Sequence, residues 1–172
     1  MARDQIELYC DGSAIMAKKP GGYGWVIILN GKKYSEGYGY IRRADNNDAE
    51  LEAALQGLME VYKLFLEITL NPIHLKIFEK NPKLEGKTSQ DLEYLTEARA
   101  MIDITICSDS QIVLDWASEK YFFKKEFKYQ QFLKIKELVK IMNIQTKWIR
   151  GHSGHEHNER CDQLATLGRL RS

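Results

Sequence analysis

Four acidic residues stand where a strand or helix is expected to begin or end. Asp11 and Asp109 each follow a short apolar segment, and Glu50 and Asp162 each fall near the start of a helical pattern. Acids gathered in one patch repel one another unless cations neutralise them. Oxygen ligands favour Mg²⁺ or Mn²⁺, and two such ions about 4 Å apart can stabilise an in-line phosphoryl displacement. The four acids therefore predict a metal site for phosphoryl chemistry.

Each acid also has an ordinary structural interpretation. Asp11-Gly12-Ser13 is a common turn sequence, and Asp109-Ser110 suits a helix N-cap. Glu50 would stabilise a helix N-terminus through the helix dipole, and Asp162 could pair with Arg160. Taken one at a time, these acids do not establish a site.

The elements that must position the acids begin with three predicted strands. Alternating apolar residues predict a first strand over Ile6–Cys10, ending in the turn Asp11-Gly12-Ser13. Strands over Tyr23–Leu29 and Lys33–Ile41 flank Asn30-Gly31, a strong hairpin signal. The chain therefore opens with antiparallel strands.

Helical periodicity begins after these strands. Apolar residues recur at helical spacing from Asn47 to Leu66, with Asn46 or Asn47 as the expected N-cap. Asn71-Pro72 and Asn81-Pro82 break the pattern. Thr88 or Ser89 is expected to cap a helix that runs to about Ile102. We expect one face of it to carry Leu92, Leu95 and Met101.

The remaining pattern predicts strands alternating with helices. The predicted elements are a strand at 102–107, helices at 111–118 and 129–142, a strand at 144–149 and a helix at 158–167. Crossovers after Asp109 imply parallel strands, whose carboxyl ends carry the ligands of open α/β sheets. The predicted fold class is α/β, a mixed sheet flanked by helices, in a single domain over residues 1–172.

Composition narrows the class of protein. The chain has 172 residues, 44% of them hydrophobic and 28% charged, with a net charge of +1, which excludes disordered and low-complexity classes. No apolar run approaches the about 20 residues of a membrane span, and Arg3, Asp4 and Glu7 stand where a signal peptide would keep an apolar stretch, so we expect no signal peptide. We expect a monomeric cytoplasmic protein whose three cysteines (Cys10, Cys107, Cys161) are core residues near the site rather than a disulfide framework.

The order of the motifs resembles that of the ribonuclease H type 1 family. The resemblance runs from Ile6 to about Leu167, with an interruption after the long helix. It is carried by Asp11-Gly12-Ser13, Gly21-Gly22-Tyr23-Gly24, Asn46-Asn47-Asp48-Ala49-Glu50-Leu51, Ser108-Asp109-Ser110-Gln111, Gly151-His152-Ser153-Gly154 and Asn158-Glu159-Arg160-Cys161-Asp162.

This resemblance implies a ribonuclease H-like mixed five-stranded sheet, three antiparallel strands followed by parallel ones. It implies an endonuclease that hydrolyses the RNA strand of RNA/DNA hybrids with two Mg²⁺ ions, for which Mn²⁺ can substitute, leaving 5′-phosphate and 3′-hydroxyl ends. Carried over residue by residue, the metal ligands are Asp11, Glu50, Asp109 and Asp162. His152 takes the place of a histidine that assists proton transfer or product release, a role that suits imidazole.

The resemblance also implies substrate contacts. Asn46, Asn47 and Gln111 should contact the RNA strand, with help from the backbone around Gly12 and Ser13. Amides donate and accept hydrogen bonds at once, which suits a 2′-hydroxyl group.

A basic segment, Lys120–Lys128, mixes aromatic residues with cations. Lys124 and Lys125 are expected to follow the DNA backbone through charge. A helix with phenylalanine core anchors and a solvated lysine face is an equally open interpretation.

The sequence departs from the family pattern in two places. Ala17 and Asp45 stand where many members have asparagine and threonine that help bind a DNA phosphate, so we expect weaker DNA-strand binding here. An insertion at about 67–101 has no family counterpart that assigns it a role, and local packing is its expected use.

Two other functions compete with the nuclease interpretation. His152, His155, His157 and Cys161 have a spacing that could bind zinc in a structural domain. A module of the same fold that binds hybrids with weak or no catalysis is the second alternative, although none of the four acids is missing.

Overall fold

The computed structural model describes residues 2–69, 72–81, 83–118, 120 and 129–171. Within these ranges it contains five strands and six helices; the helix over 72–80 was not predicted, and the other elements follow the predicted order. The elements are β1 (Asp4–Ala14), β2 (Lys19–Leu29), β3 (Lys32–Ala44), α1 (Asn46–Thr69), α2 (Pro72–Lys80), α3 (Ser89–Met101), β4 (Ile102–Ser108), α4 (Gln111–Ala117), α5 (Tyr129–Met142), β5 (Gln145–Trp148) and α6 (Glu156–Leu170).

The five strands form one mixed sheet in the order β3-β2-β1-β4-β5. β1 and β3 each pair antiparallel with β2, whereas β4 pairs parallel with both β1 and β5. Because β1 and β4 are parallel neighbours, their carboxyl ends lie at the same edge of the sheet. The predicted fold class is therefore confirmed.

The hairpin between β2 and β3 follows the prediction. Asn30 and Gly31 both have positive φ angles, 51° and 77°, as a two-residue turn matched to strand twist requires. The Asn30 side chain also accepts a hydrogen bond of 2.8 Å from the Gln5 N–H. The turn is thus tied to the neighbouring strand.

β1 is longer than predicted. The expected turn at Asp11-Gly12-Ser13 is wrong, because these residues continue the strand and pair with Gly24, Tyr23 and Gly22. The parallel ladder with β4 ends earlier, at the pair Tyr9 and Cys107. Asp11 therefore lies just beyond the last parallel pair, on a strand still held by β2.

Two hydrophobic clusters lie on opposite faces of the sheet. The larger one joins the sheet to α1, α4 and α5, and Leu8, Leu58, Phe65 and Trp116 are buried within it. The smaller one lies under α6 and includes Tyr9, Cys107 and Cys161. All three cysteines are free and buried, as predicted. With helices on both faces, β1 is buried on both sides and its position is well defined.

Helix α6 contacts the backbone of β2 and β3 directly. A Cβ atom at Gly24 would lie 2.6 Å from the Cys161 carbonyl oxygen and 2.6 Å from the Leu164 Cβ. A Cβ at Gly168 of α6 would collide with the backbone of Gly39 on β3. Helix and sheet therefore meet without side chains between them at these points.

The N-cap of α1 differs from the prediction. The helix begins at Asn46, so the cap is Asp45 rather than Asn46 or Asn47. The Asp48 N–H donates to Asp45 Oδ1 at 2.8 Å, and the Asp45 N–H donates to Asp48 Oδ2 at 2.9 Å. This reciprocal pair is a capping box made of two aspartates, and it leaves both asparagine side chains exposed.

The segment predicted to be an insertion, about 67–101, contains the end of α1 followed by α2 and α3. Pro72, expected to break structure, is instead the first residue of α2, a position where proline is favourable. Thr88 caps α3 as predicted, in a capping box with Asp91. The predicted face is wrong in part. Leu95 is buried, but Leu92 and Met101 are exposed by 41% and 50%, and the buried face of α3 is Asp91, Leu95 and Ala98.

Among the helices in the described part of the chain, none has the length and apolar character needed to cross a bilayer.

The last helix, α6, begins at Glu156, two residues earlier than predicted, with His155 as its N-cap.

Candidate active site

Three of the four predicted acids meet at the carboxyl edge of the sheet. Asp11 comes from β1, Asp109 follows the last residue of β4, and Glu50 lies near the start of α1. One carboxylate oxygen from each can be chosen so that all three lie within 4.8 Å of one another. We call these three residues the acid cluster. Within the described ranges it is the one group of three or more such side chains placed to share a metal ion.

No ion pair between described residues involves the acid cluster. Asp11 is only 7% exposed, and burial, followed by the charge of Asp109, raises its pKa. Burial and then the charge of Asp11 raise the pKa of Glu50 strongly. Glu50 Oε2 is buried and has no hydrogen-bond partner among the described residues. The site therefore holds carboxylates in surroundings that disfavour their charged form.

The fourth acid, Asp162, is close to the acid cluster without being part of its three-residue group. It lies on α6, half-buried, and its charge is a further cause of the raised pKa of Asp11. It approaches from the opposite face of the sheet to Glu50. All four predicted acids thus lie around one edge, with Asp162 at the side.

Two neighbours of Asp109 were not predicted as site residues. Asn158 is 3% exposed, and its Nδ2 donates a long hydrogen bond of 3.3 Å to Asp109 Oδ2. Gly151 lies so close to Asp109 that a Cβ atom there would collide with the carboxylate. The available signal was helical spacing, because Asn158 and Asp162 are four residues apart on α6 and so share a face.

His152 lies in the exposed loop between β5 and α6. It has a φ of 49°, in the left-handed region that few non-glycine residues adopt. Ser153 Oγ donates to the Arg150 carbonyl at 2.7 Å, and the Gly154 N–H donates to Glu159 Oε1 at 2.9 Å. These bonds order the loop, and His152 follows directly after Gly151 at the rim of the acid cluster.

The predicted substrate residues lie at the same edge. Asn46 and Asn47 are exposed in the first turn of α1, ahead of Glu50. Gln111 opens α4 two residues after Asp109, and its Nε2 donates to Asp115 Oδ1 at 2.7 Å. Gly12 and Ser13 continue β1 beyond Asp11. Lys124 and Lys125 lie outside the described residues.

The geometry does not favour the zinc interpretation. The rings of His155 and His157 each pack against Tyr9, with centroids 5.1 Å away. Cys161 is fully buried in the core beneath α6. These side chains form no shared ligand group among the described residues. Their contacts are packing contacts with Tyr9 and with the core.

The acid cluster fits divalent cations with a preference for oxygen ligands. Its donor set consists of carboxylates alone, which suits Mg²⁺ or Mn²⁺ rather than softer metals. The unpartnered Glu50 Oε2 is a ligand atom left available by the fold, and the mutual repulsion of the acids is what a bound cation would relieve.

Comparison with known proteins gives the same interpretation. A family model described as RNase H matches residues 3–72 and 73–169. A ribonuclease H from Citrobacter koseri is 32% identical over 94% of this chain and 86% of its own length. A ribonuclease HI from Campylobacter jejuni is 29% identical over 96% of this chain and 92% of its own.

Solved structures share the fold. RNase H1 from the halophilic archaeon Halobacterium salinarum superposes with a TM-score of 0.66, at 20% identity, covering 98% of this chain and 99% of that one. LC11-RNase H1, solved in complex with an RNA/DNA hybrid, gives a TM-score of 0.64 at 21% identity, with 96% of each chain covered.

The mixed sheet and its acidic edge, together with the family match over nearly the whole chain, define a ribonuclease. The chain belongs to the RNase H family, and its curated relatives place it with the type 1 enzymes.

Proposed function

We propose that this protein is an endonuclease that hydrolyses the RNA strand of RNA/DNA hybrids with two divalent cations, leaving 5′-phosphate and 3′-hydroxyl ends. The observation that carries the proposal is the acid cluster, whose carboxylates come from β1, α1 and the end of β4 and lie within 4.8 Å. Family membership supplies the substrate class.

Asp11, Glu50, Asp109 and Asp162 would hold the cations, which we assign as Mg²⁺ with Mn²⁺ as a possible substitute. When bound, such ions neutralise phosphate charge, activate water and stabilise the leaving oxygen. The fold contributes positioning, because β1 pairs with β4 up to Tyr9 and with β2 at Asp11, and α1 fixes Glu50. Rigid placement is the main way a protein assists this kind of displacement.

Residues around the acid cluster fix the orientation of its carboxylates. Asn158 donates to Asp109 Oδ2 and so restricts the rotation of that carboxylate. Gly151 keeps the following loop close to Asp109. We assign to His152, next in the chain, the role of taking up or releasing a proton at the edge of the site, or of assisting the departure of the product.

Strand selection is assigned to polar groups on the RNA side. Asn46 and Asn47 precede Glu50 on α1, and Gln111 follows Asp109 on α4. Their amides can donate to and accept from a 2′-hydroxyl, which deoxyribose lacks. The backbone of Gly12 and Ser13 continues from Asp11 and completes this surface.

The test uses labelled RNA/DNA, RNA/RNA and DNA/DNA duplexes incubated with Mg²⁺ or Mn²⁺. We expect cleavage only in the RNA strand of the hybrid, and end labelling should show 5′-phosphate and 3′-hydroxyl products. Asp109→Asn should abolish cleavage. Asp103→Asn is the matched control, since Asp103 lies on β4, the strand that Asp109 follows, but pairs with Arg3 at 3.0 Å, away from the cluster.

Binding without cleavage by the wild-type protein would favour a hybrid-binding module of the same fold. Cleavage of all three duplexes would contradict the assignment of Asn46, Asn47 and Gln111 to hybrid recognition.

A further inference from the structure

Exposed cations extend the acidic edge of the sheet on the side of β2 and β3. Lys18 and Lys19 lie in the turn before β2 and at its start, and Arg42 lies near the end of β3; all three side chains are exposed. Lys18 has a φ of 65°, and the Lys19 N–H donates to the Met16 carbonyl at 3.1 Å. We call these residues, with Arg169, the cationic rim.

Arg169 joins the cationic rim to the strand that carries Asp11. Its Nε donates to Ser13 Oγ at 3.0 Å, and Ser13 is two residues beyond Asp11 on β1. The Arg169 backbone packs against Gly22, which pairs with both Ser13 and Tyr40. The last turn of α6 therefore places a guanidinium between the acid cluster and the ends of β2 and β3.

The cations of the rim are not used in ion pairs within the described residues. The ion pairs there involve Arg3, Lys33, Lys63, Lys83 and Arg160. Asp45 directly follows Ala44, the β3 residue that pairs with Lys19, and Asp45 and Asp48 accept hydrogen bonds from each other's backbone N–H. The rim thus presents positive charge to solvent.

The strand register of β1 and β2 gives the distance between Lys19 of the cationic rim and Asp11 of the acid cluster. Asp11 pairs with Gly24, and Lys19 lies five residues before Gly24 on β2. At about 3.4 Å per residue the separation along the strand is about 17 Å. One strand of duplex DNA carries a phosphate about every 3.4 Å along the helix axis, so a duplex lying along β2 would bring a phosphate to Lys19 about five positions from a phosphate at the acid cluster.

We propose that Lys18, Lys19, Arg42 and Arg169 bind the phosphate backbone of the duplex outside the cleavage site. The proposal rests on the hybrid as substrate, and it adds a second contact surface that depends on charge and not on base sequence. It also explains how a cleft lined by Ala17 and Asp45 can bind a duplex, since the rim supplies cations beside it.

Two structural roles compete with this one. Charged residues on an edge strand such as β3 prevent sheet-to-sheet association, and Arg169 at the end of α6 complements the helix dipole. Neither role involves phosphate, so a salt dependence of duplex binding distinguishes them from the proposal.

The experiment measures binding of a fluorescent hybrid of about 20 base pairs between about 50 and 200 mM salt. All proteins carry Asp109→Asn to prevent cleavage. The rim variant combines Lys18→Gln, Lys19→Gln and Arg42→Gln, with Arg169→Gln as a separate variant. The matched control combines Lys32→Gln, Lys76→Gln and Lys80→Gln, which removes the same charge from exposed positions at the far end of the molecule.

We expect the triple rim variant to bind at least about 10-fold more weakly at low salt, with the slope of log affinity against log salt reduced by about 2 to 3. Arg169→Gln should reduce the slope by about 1. The control should match the parent protein in both quantities.

A rim variant with the slope and affinity of the control would overturn the proposal. So would self-association of that variant on gel filtration with duplex binding unchanged, because this result assigns the charges to edge protection. Wild-type cleavage is assayed separately. If it fails while the slope change persists, the proposed function is wrong and the rim remains a nucleic-acid surface.

Discussion

Glu50 and Glu36 carry the same side chain in opposite surroundings. Glu36, on β3, accepts hydrogen bonds of 3.1 and 2.7 Å from Nε and Nη2 of Arg160, which together with Lys33 lower its pKa to about 2. Glu50 instead faces Asp11 and Asp109, and burial followed by the charge of Asp11 raises its pKa. Among the described residues, the fold thus supplies a counter-charge to Glu36 and none to Glu50.

Helix α6 contributes one residue near Glu36 and one near the acid cluster. Arg160 and Asp162 are two residues apart on α6, yet Arg160 points to Glu36 while Asp162 adds negative charge near Asp11. An arginine is therefore available close to the acidic edge and is used elsewhere. This arrangement fits a site that takes its positive charge from solution.

The largest expected effect comes from matched substitutions at the two glutamates. Glu50→Gln should reduce hybrid cleavage by about 10³-fold, because the amide removes a metal-binding charge. Glu36→Gln should leave cleavage within about 2-fold and lower the Tm by about 1–2 °C. Initial rates and thermal melts measure both, and equal losses of activity would break the comparison.

Removing one charge from the acid cluster should stabilise the metal-free protein. Asp11→Asn relieves repulsion with Asp109, and we expect a gain of about 1–2 kcal/mol in unfolding free energy in EDTA. Mg²⁺ should stabilise the wild type by mass action and the variant much less. Urea unfolding with and without Mg²⁺ measures this, and a less stable variant in EDTA would contradict it.

The loop contact with Asp109 should be sensitive to a single methyl group. Gly151→Ala would place its Cβ against the Asp109 carboxylate, and we expect cleavage to fall by about 10-fold as that group shifts. Gly154→Ala is the control. It lies in the same loop with a φ of 81° and open space around it, so it should strain the backbone and leave the rate nearly unchanged.

Asp45 differs from both glutamates in its surroundings. Its carboxylate accepts a hydrogen bond from the Asp48 backbone N–H. It lines a cleft with Ala17 and the two asparagines, where its charge should repel a DNA phosphate. Asp45→Thr should keep a helix cap and tighten hybrid binding by about 5-fold. A binding titration tests this, and affinity that is unchanged or weaker would refute it.

The smallest effect is the pH dependence of the Glu36–Arg160 pair. Because the pKa of Glu36 is lowered from 4.5 to about 2, its stabilising contribution is complete above about pH 4.5 and is lost as pH falls toward 2. The Tm difference between wild type and Glu36→Gln should narrow over that range. A difference that stays constant from pH 6 to 3 would show that the pair contributes nothing through charge.

Local chemistry made much of the fold predictable. The α1 periodicity, the Asn30-Gly31 turn and the Thr88 cap each depend on neighbours within a few residues. The continuation of β1 through Asp11-Gly12-Ser13 was missed because its pairing partners lie on β2. A turn-forming sequence yields to strand pairing when a partner strand is present.

The candidate site shows the same division. Motif order identified four acids that the structure brings to one edge, and their roles as ligands remain a prediction. Helical spacing could place Asn158 on the same face as Asp162, but its contact with Asp109 joins residues 49 positions apart and no local pattern reveals that contact. The buried face of α3 was assigned wrongly because Asp91, a polar residue, is buried by its capping role while Leu92 is not.

The bare contacts between α6 and the sheet have a consequence for redesign. The placement of Asp162 and Asn158 depends on atoms that are missing at Gly24 and Gly168, so grafting the acidic residues alone onto another scaffold would leave this helix too far out. An active site moved to another scaffold would need glycine at these two positions as much as it needs its acidic residues.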